Sequence, residues 1–282
     1  MTVWLPLLRL RQRVAVKNNM QKISLKTFLL LLTALFILSS CINIPGITGP
    51  DGGKGEILEN NGEIRLTPDK DKIAIFVNRD PDGFFARNDR GNGFPFGCSF
   101  MRSNAVVANN KLTMTLDKQG DQIVGAEYRT WMRYSYGYYS VSMKAAACSG
   151  VISSFFIYTG RPWDEIDIEF LGDDTTKVQF NYYTSGAGGH EFVYDLGFDA
   201  SKDFHEYGFD WQEDSITWYV DGVAVYRATE NIPSHPGNIM MNIWNVADAY
   251  SSWAGRFDER DLPTSAEYQW IGYHSAEDGA DI

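Results

Sequence analysis

The chain has 282 residues, of which 44% are hydrophobic and 14% aromatic, so it is long enough for one globular domain with additional segments but not for two full domains. Its 25 Lys and Arg residues face 36 Asp and Glu residues, which gives a formal net charge of −11. This balance argues against a nucleic-acid partner, because such a partner requires a basic surface. An acidic sugar polymer would also be repelled, so a neutral polysaccharide fits better.

The N-terminal segment, residues 1–41, has the features of a signal peptide. Two lysines precede an apolar run over residues 28–38 that is too short to span a bilayer, and two serines then lead to Cys41. This ending resembles a bacterial lipobox, so we expect Cys41 to be lipidated; an ordinary cleavage site followed by a chance cysteine is the alternative. We therefore expect an exported protein that contacts the membrane only through its lipid anchor, at the cell surface or in the periplasm.

Residues 42–62 are rich in Gly and Pro, which break helices and strands, and we expect them to form a flexible tether. From Lys72 onward the chain instead shows many short runs with strand character, separated by Gly, Asn and Asp. The runs SITWYV and VAVYRA flank Asp221-Gly222, which predicts a β-hairpin. Residues 63–282 are therefore predicted to form one all-β domain, a β-sandwich or jelly roll.

The stretch WDEIDIEF, residues 163–170, alternates acidic and apolar residues with the period of a β-strand. Glu165, Asp167 and Glu169 would then share one face, and the apolar side chains would share the other. If Glu165 and Glu169 lean toward each other, their carboxyl groups would approach to about 5–6 Å, close to the spacing in a retaining glycosidase. Asp167 would lie between them, close enough to raise a neighbour's pKa and to share a proton with it. A merely solvated acidic face is the alternative.

Several other predicted strands alternate aromatic and polar residues, which are the side chains that a sugar-binding surface requires. Such pairs or triplets occur at Glu127 and Arg129, at Phe156 and Tyr158, at Gln179, Asn181 and Tyr183, and at Asn242 and Trp244. For any one aromatic residue, packing within a sheet is the commoner role. Their repetition in several strands favours a common binding face.

These motifs carry a family resemblance. WDEIDIEFLG resembles the active-site signature of glycoside hydrolase family 16, and GVISSFFIYTG, KVQFNYYTSGAGGHE, WYVDG and PGNIMMNIWN resemble its bacterial lichenase branch. The similarity runs over about residues 88–273. It implies a concanavalin-like jelly-roll sandwich of two antiparallel sheets with a concave substrate cleft, and retaining endo-1,3-1,4-β-glucanase activity on a neutral β-glucan. It implies no required cofactor, and we expect a monomer.

The resemblance also assigns roles to individual residues. Glu165 corresponds to the nucleophile, Glu169 to the general acid/base, and Asp167 to a carboxylate that helps keep Glu165 ionised and Glu169 protonated. The positions that correspond to substrate-contacting residues are Asn92, Phe96, Glu127, Arg129, Phe156, Tyr158, Trp163, Asn181, Tyr183, Asn242, Trp244 and Trp253.

The chain departs from the family pattern at several positions. Arg90 replaces an aromatic residue, which is expected to alter an outer subsite, and the segment before Trp253 is one residue longer than usual. The family's calcium-site carboxylate falls at Gln269, so a structural calcium ion is doubtful. The family's disulfide partner of Cys98 falls at Gly125, so that bridge cannot form, and pairing of Cys98 with Cys148 remains open.

Other activities remain as alternatives. Within the family, the chain could be a β-1,3-glucanase, or a xyloglucan hydrolase or transglycosylase, although the regular spacing of the three carboxylates is typical of lichenases and xyloglucan-active enzymes. A non-catalytic glycan-binding lipoprotein is the alternative from another class. The four histidines show no metal-ligand spacing, so we expect no catalytic metal.

Overall fold

The computed structural model of the protein describes residues 55–58, 64–88 and 91–276. The predicted signal peptide, Cys41, Arg90 and most of the predicted tether lie outside these residues. The strands of the described part are β1 (Gly55–Ile57), β2 (Lys72–Ile75), β3 (Phe84–Ala86), β4 (Ser99–Phe100), β5 (Ala105–Ala108), β6 (Lys111–Gln119), β7 (Gln122–Thr130), β8 (Gly137–Lys144), β9 (Val151–Tyr158), β10 (Glu165–Leu171), β11 (Lys177–Tyr183), β12 (Phe192–Asp195), β13 (His205–Trp211), β14 (Ile216–Val220), β15 (Val223–Ala228), β16 (Asn238–Asn245) and β17 (Thr264–Ser275).

Helical structure in the described residues is short. One α-helix, α1, spans Ser251–Ala254, and 3-10 turns span Asp69–Asp71, Arg102–Asn104, Asp248–Tyr250 and Glu259–Asp261. None of the described helices is long and apolar enough to cross a membrane. The prediction of an all-β domain is therefore confirmed.

The acidic strand β10 lies inside a seven-stranded antiparallel sheet, which we call the catalytic-face sheet. Its strand order is β12-β11-β10-β9-β16-β7-β3. A second sheet has the order β1-β15-β14-β13-β8-β17, and β17 pairs further with β6 and with β2. The end of β6 also pairs with the start of β7 and so joins the two sheets.

The two sheets pack face to face around a core of apolar and aromatic side chains. Phe155 of the catalytic-face sheet meets Phe209 of the second sheet with ring centroids 6.0 Å apart. Buried polar atoms are satisfied across the layers, since the Trp218 indole N–H donates to the backbone carbonyl of Asp167 at 3.1 Å. This hydrogen bond ties the backbone of the acidic strand to the opposite sheet.

The turn prediction at residues 221–222 is confirmed. Asp221 and Gly222 join β14 to β15 and have φ angles of 47° and 78°, the left-handed conformation that such two-residue hairpins require. The tether prediction differs from the structure at one point, because Gly55–Ile57 pairs with β15 and belongs to the second sheet. This strand is only three residues long and begins with Gly55 and Glu56, so its sequence pattern gives no strand signal.

The two cysteines in the described residues are free thiols, and Cys98 and Cys148 are both buried. A Cβ atom at Gly125 would lie 3.1 Å from the Cys98 sulfur but only 2.2 Å from the Ile243 carbonyl oxygen. Position 125 therefore accepts only glycine without a backbone shift, which explains the absence of a side chain at this contact between β7 and β16.

Candidate active site

The acidic and apolar faces of β10 are separated as the alternating sequence predicts. Ile166, Ile168 and Phe170 are fully buried in the core. Asp167 is 5% exposed, and Glu165 and Glu169 on either side of it are half-buried. The three carboxylates thus occupy the side of the catalytic-face sheet that faces away from the core.

The neighbouring strands bring most of the predicted binding residues onto this same side. Residues that lie opposite each other on paired strands point to the same face of a sheet. The cross-strand rows are Tyr183-Glu165-Tyr158-Asn238, Asn181-Asp167-Phe156-Met240-Arg129, and Gln179-Glu169-Ser154-Asn242-Glu127. The register therefore places amide, aromatic and charged side chains around each carboxylate. Whether this face is concave, and how far apart the two glutamate carboxyl groups lie, stay predictions.

The carboxylate of Glu165 is held by Trp163, which stacks on Tyr183. The Trp163 indole N–H donates a hydrogen bond to Glu165 Oε2. The Trp163 ring stacks on Tyr183 at a centroid distance of 4.5 Å and an angle of 18°, and the side chain remains 42% exposed. A flat aromatic surface therefore lies directly beside the carboxylate, where a sugar ring could stack.

Glu169 is held by Gln179, a residue outside the predicted binding set. Gln179 Nε2 donates to Glu169 Oε2 at 2.9 Å, and Gln179 Oε1 accepts a hydrogen bond of 3.0 Å from the Trp253 indole. Trp253 thus reaches the site through Gln179. A signal for Gln179 existed in the sequence, since it alternates with Asn181 and Tyr183 on β11.

The electrostatics of the three carboxylates are dominated by burial and mutual repulsion. Burial raises the pKa of Glu165 to about 8 and that of Glu169 to about 7, against the lowering effects of the bonds from Trp163 and Gln179. Burial, with the charges of both glutamates, raises the pKa of Asp167 well above its ordinary value. The cluster therefore retains protons near neutral pH, as the close spacing predicts.

The order of these two values is opposite to the predicted roles, which require Glu165 ionised and Glu169 protonated. The three carboxyl groups lie on one face and raise one another's pKa values, so a proton lost by one can be held by another. A sugar ring that displaces water changes the burial of both glutamates. The roles of the two glutamates therefore rest on their positions in β10 and not on the order of their pKa values.

A second group of predicted residues forms around the buried carboxylate of Glu127. Glu127 is 1% exposed and both of its oxygens lie 3.2 Å from Nη1 of Arg87. Arg87 also donates to Asn92 Oδ1 at 2.6 Å, and Arg129 lies 3.9 Å from Glu127. Arg87 follows β3 in an irregular segment, and no sequence pattern points to it.

A third group of predicted residues surrounds Asn242 and Trp244 of β16, and Asn242 lies opposite Glu127 of the second group. Phe96 meets Trp244 with ring centroids 4.1 Å apart, and Trp244 meets Trp253 at 6.2 Å. Asn242 accepts a hydrogen bond of 2.6 Å from Ser154. Trp244 and Phe156 are 4% and 6% exposed, so both are largely covered by neighbours.

One buried carboxylate next to the catalytic strand was missed by the sequence interpretation. Asp164 is 1% exposed and accepts hydrogen bonds from the backbone N–H groups of Ser185, Ser234 and His235, and from His235 Nδ1 at 2.8 Å. Burial alone would raise the pKa of Asp164, but these donors lower it below its ordinary value. Asp164 joins three loops beside Trp163, and its partners are too distant in sequence to give a signal.

The position that corresponds to the family's calcium-site carboxylate is occupied by Gln269. Among the described residues, no three His, Cys, Asp or Glu side chains are grouped to hold a metal ion. The side-chain oxygen of Gln269 accepts a hydrogen bond of 3.0 Å from Ser142. A neutral amide that is already engaged by a hydroxyl is a poor calcium ligand.

Comparison with known proteins agrees with this geometry. The model of the glycosyl hydrolases family 16 matches residues 93–272. A β-glucanase of Acetivibrio thermocellus is 49% identical over 209 residues, which cover 72% of this chain and 62% of that protein. The chain thus spans less than two thirds of the length of this relative.

Two solved structures share the fold at high identity. The crystal structure of a prokaryotic β-1,3-1,4-glucanase (lichenase) derived from a mouse hindgut metagenome is 45% identical, with a TM-score of 0.67 over 71% of this chain and 96% of that chain. The Bacillus licheniformis β-glucanase is 43% identical, with a TM-score of 0.69 over 71% of this chain and 96% of that chain. These matches confirm the predicted jelly-roll architecture of two antiparallel sheets. The chain belongs to the glycosyl hydrolases family 16.

Proposed function

We propose that the protein is a retaining endo-β-glucanase that hydrolyses internal bonds of a neutral mixed-linkage β-1,3-1,4-glucan. The observation that carries the proposal is that Glu165, Asp167 and Glu169 share one face of the sheet. Each glutamate accepts a hydrogen bond from a different neighbour, Glu165 from Trp163 and Glu169 from Gln179. A binding protein has no need for one buried and two half-buried carboxylates that repel one another. The names of the similar proteins, β-glucanase and lichenase, support the same substrate class.

The roles that the family resemblance assigns to the two glutamates describe a double displacement. Glu169, in its protonated form, gives a proton to the oxygen of the leaving sugar, while a carboxylate oxygen of Glu165 attacks the anomeric carbon. A covalent glycosyl-enzyme forms and the glycosidic bond breaks. Glu169, now ionised, removes a proton from water, which attacks the anomeric carbon and releases Glu165.

The neighbours of the glutamates tune this cycle. The Trp163 indole N–H stabilises the anion of Glu165, the state that attacks. The Gln179 amide N–H stabilises the anion of Glu169, the state that activates water in the second step. Asp167 lies between them on the same face and helps keep Glu165 ionised and Glu169 protonated through hydrogen bonding and charge repulsion.

Release of reducing sugar from three glucans tests the proposal. We expect hydrolysis of lichenan, with much slower or no hydrolysis of laminarin and xyloglucan. Preferential cleavage of laminarin would indicate a β-1,3-glucanase, and cleavage or transfer on xyloglucan would indicate that branch of the family. Binding of lichenan without any hydrolysis over a long incubation would support the glycan-binding lipoprotein instead.

The location of the protein is a separate proposal. We infer from the predicted signal peptide that the enzyme is exported and anchored through a lipid on Cys41, and that it acts as a monomer on its polymer. Cys41→Ala should release the protein from the membrane fraction. Continued membrane association of that variant would reject the lipid anchor.

A further inference from the structure

One exposed aromatic cluster on the catalytic-face sheet takes no part in the proposed chemistry. Trp131 is 68% exposed, and its ring stacks on Phe85 at a centroid distance of 3.8 Å and an angle of 23°. The guanidinium of Arg129 lies 5.2 Å from the Phe85 ring centroid. We call the aromatic pair of Phe85 and Trp131 the edge platform; it adjoins Arg129, which belongs to the predicted binding set. A tryptophan this exposed leaves a large apolar face in water, which is typical of a binding site.

The edge platform faces the same way as the catalytic carboxylates. Phe85 on β3 lies opposite Arg129 on β7, and Arg129 continues the cross-strand row of Asp167 through β16 and β9. Phe85 and Asp167 are therefore on one face, four strand spacings apart, or about 19 Å at ~4.8 Å per spacing. The platform is a continuation of the catalytic face at the outer edge of the sheet.

The backbone that presents Trp131 is fixed by hydrogen bonds. The side-chain amide of Asn238 donates to the carbonyl oxygens of Thr130 at 2.9 Å and Met132 at 3.0 Å. The backbone N–H of Trp131 donates to the Gly83 carbonyl at 2.9 Å. Because the backbone is held in this way, a ligand that stacks on Trp131 loses little free energy to the ordering of the loop.

We propose that the edge platform is an additional binding site for the β-glucan chain, several sugar units away from the bond that is cleaved. The flat apolar face of a pyranose ring fits the exposed Trp131 ring, and the Arg129 guanidinium offers donors to sugar hydroxyls. The identity of the polymer rests on the proposed function. The continuity of the platform with the row of Asp167 favours the polymer that occupies the catalytic face over any other partner.

Affinity electrophoresis in gels that contain lichenan tests the platform without any need for catalysis. The background is Glu165→Gln, which cannot digest the gel. Adding Trp131→Ala to this variant should weaken the apparent Kd for lichenan by about two- to ten-fold, the effect of losing one aromatic contact. Trp270→Ala is the matched control, because Trp270 lies on the second sheet, away from the carboxylates. Its ring is covered by Lys72, whose Nζ atom lies 4.8 Å from the ring centroid. The control should keep the Kd of the background.

An unchanged Kd in the Trp131→Ala variant, or no retardation of any variant, would overturn the platform. A Trp131→Ala variant that changes only the sedimentation coefficient would identify a second copy of the chain as the occupant and would also overturn it. In the active enzyme, Trp131→Ala should lower the ratio of kcat/KM on lichenan to kcat/KM on a short chromogenic oligosaccharide. If the wild-type enzyme hydrolyses neither substrate, the proposed function fails, while the retardation assay still decides the platform.

Discussion

Gln179 donates a hydrogen bond of 2.9 Å to Glu169 from the adjacent strand β11, and the Trp253 indole in turn donates to Gln179 at 3.0 Å. Because the carbonyl end of the Gln179 amide is held by Trp253, its NH₂ end is fixed toward Glu169. Gln179 therefore acts as a positioning residue for the predicted general acid/base, and Trp253 supports it from α1.

Replacement of Gln179 tests this relationship. A hydrogen bond donated to a carboxylate lowers its pKa, so Gln179→Ala should raise the pKa of Glu169 and move the basic limb of the kcat/KM pH profile to higher pH. Loss of a hydrogen bond to a charged group should also reduce kcat by about 10- to 100-fold. A reduced kcat with an unmoved pH profile would assign Gln179 a purely structural role.

Asp164 should matter for stability more than for chemistry. Asp164→Ala leaves three backbone N–H groups without their acceptor, which should lower the free energy of unfolding by about 2–5 kcal/mol. Urea denaturation at neutral pH measures this. Asp164→Asn keeps one oxygen acceptor and should lose less, so equal losses in the two variants would contradict the hydrogen-bond explanation.

The same residue predicts a pH dependence. The pKa of Asp164 is lower in the folded protein than the ordinary value of about 3.9, so its stabilisation is complete above pH ~4 and is lost as the pH falls through the folded-state value. Asp164→Asn should therefore flatten the acid side of the stability curve. An acid limb as steep as that of the wild-type protein would show that other carboxylates cause it.

The catalytic carboxylates should have the opposite effect on stability. Their pKa values are raised in the folded state, Glu165 to about 8 and Glu169 to about 7, so the folded protein binds more protons than the unfolded chain between pH ~4.5 and 8. The Tm should fall as the pH rises through this window. Glu165→Gln should be more stable than the wild-type protein at pH 8 and show a shallower decline. A Glu165→Gln variant that is less stable than the wild-type protein at pH 8 would contradict the conclusion that burial of the charged Glu165 carboxylate costs stability.

Removal of divalent ions should have no effect on stability. Gln269 supplies a neutral oxygen, already bonded to Ser142, at the position where the family pattern has a calcium-binding carboxylate. We expect the Tm to be the same in EDTA and in millimolar calcium. Gln269→Asp is the matched variant, and it should gain a calcium-dependent rise in Tm. A lower Tm of the wild-type protein in EDTA would indicate a bound structural metal.

The features of the fold and site that could be predicted from the sequence are those that a short stretch of neighbouring residues determines. The alternation in WDEIDIEF placed Glu165, Asp167 and Glu169 on one face, and Asp221-Gly222 fixed the β14–β15 hairpin. Strand pairing then carried the predicted aromatic and amide residues onto that face, because each alternates within its own strand.

The parts that escaped prediction depend on contacts between distant segments. Asp164 binds backbone groups 21 and 70 residues away, and the Trp253 bond to Gln179 spans 74 residues. The longest strand, β17, mixes polar and apolar residues around a bulge between Tyr268 and Trp270, which interrupts the period of two. Neither long-range hydrogen bonds nor a bulge gives a regular pattern in the sequence from which it could be predicted.

The most direct measurement is chemical rescue of Glu165→Ala with azide on a mixed-linkage oligosaccharide that carries an activated leaving group. Removal of the nucleophile should reduce kcat by roughly 10³-fold or more while the fold is retained. Azide should restore turnover and yield the α-glycosyl azide, since the small anion attacks from the side that the Glu165 carboxylate normally occupies. A β-glycosyl azide, or substantial activity of Glu165→Ala without azide, would contradict the assignment of Glu165 as the nucleophile.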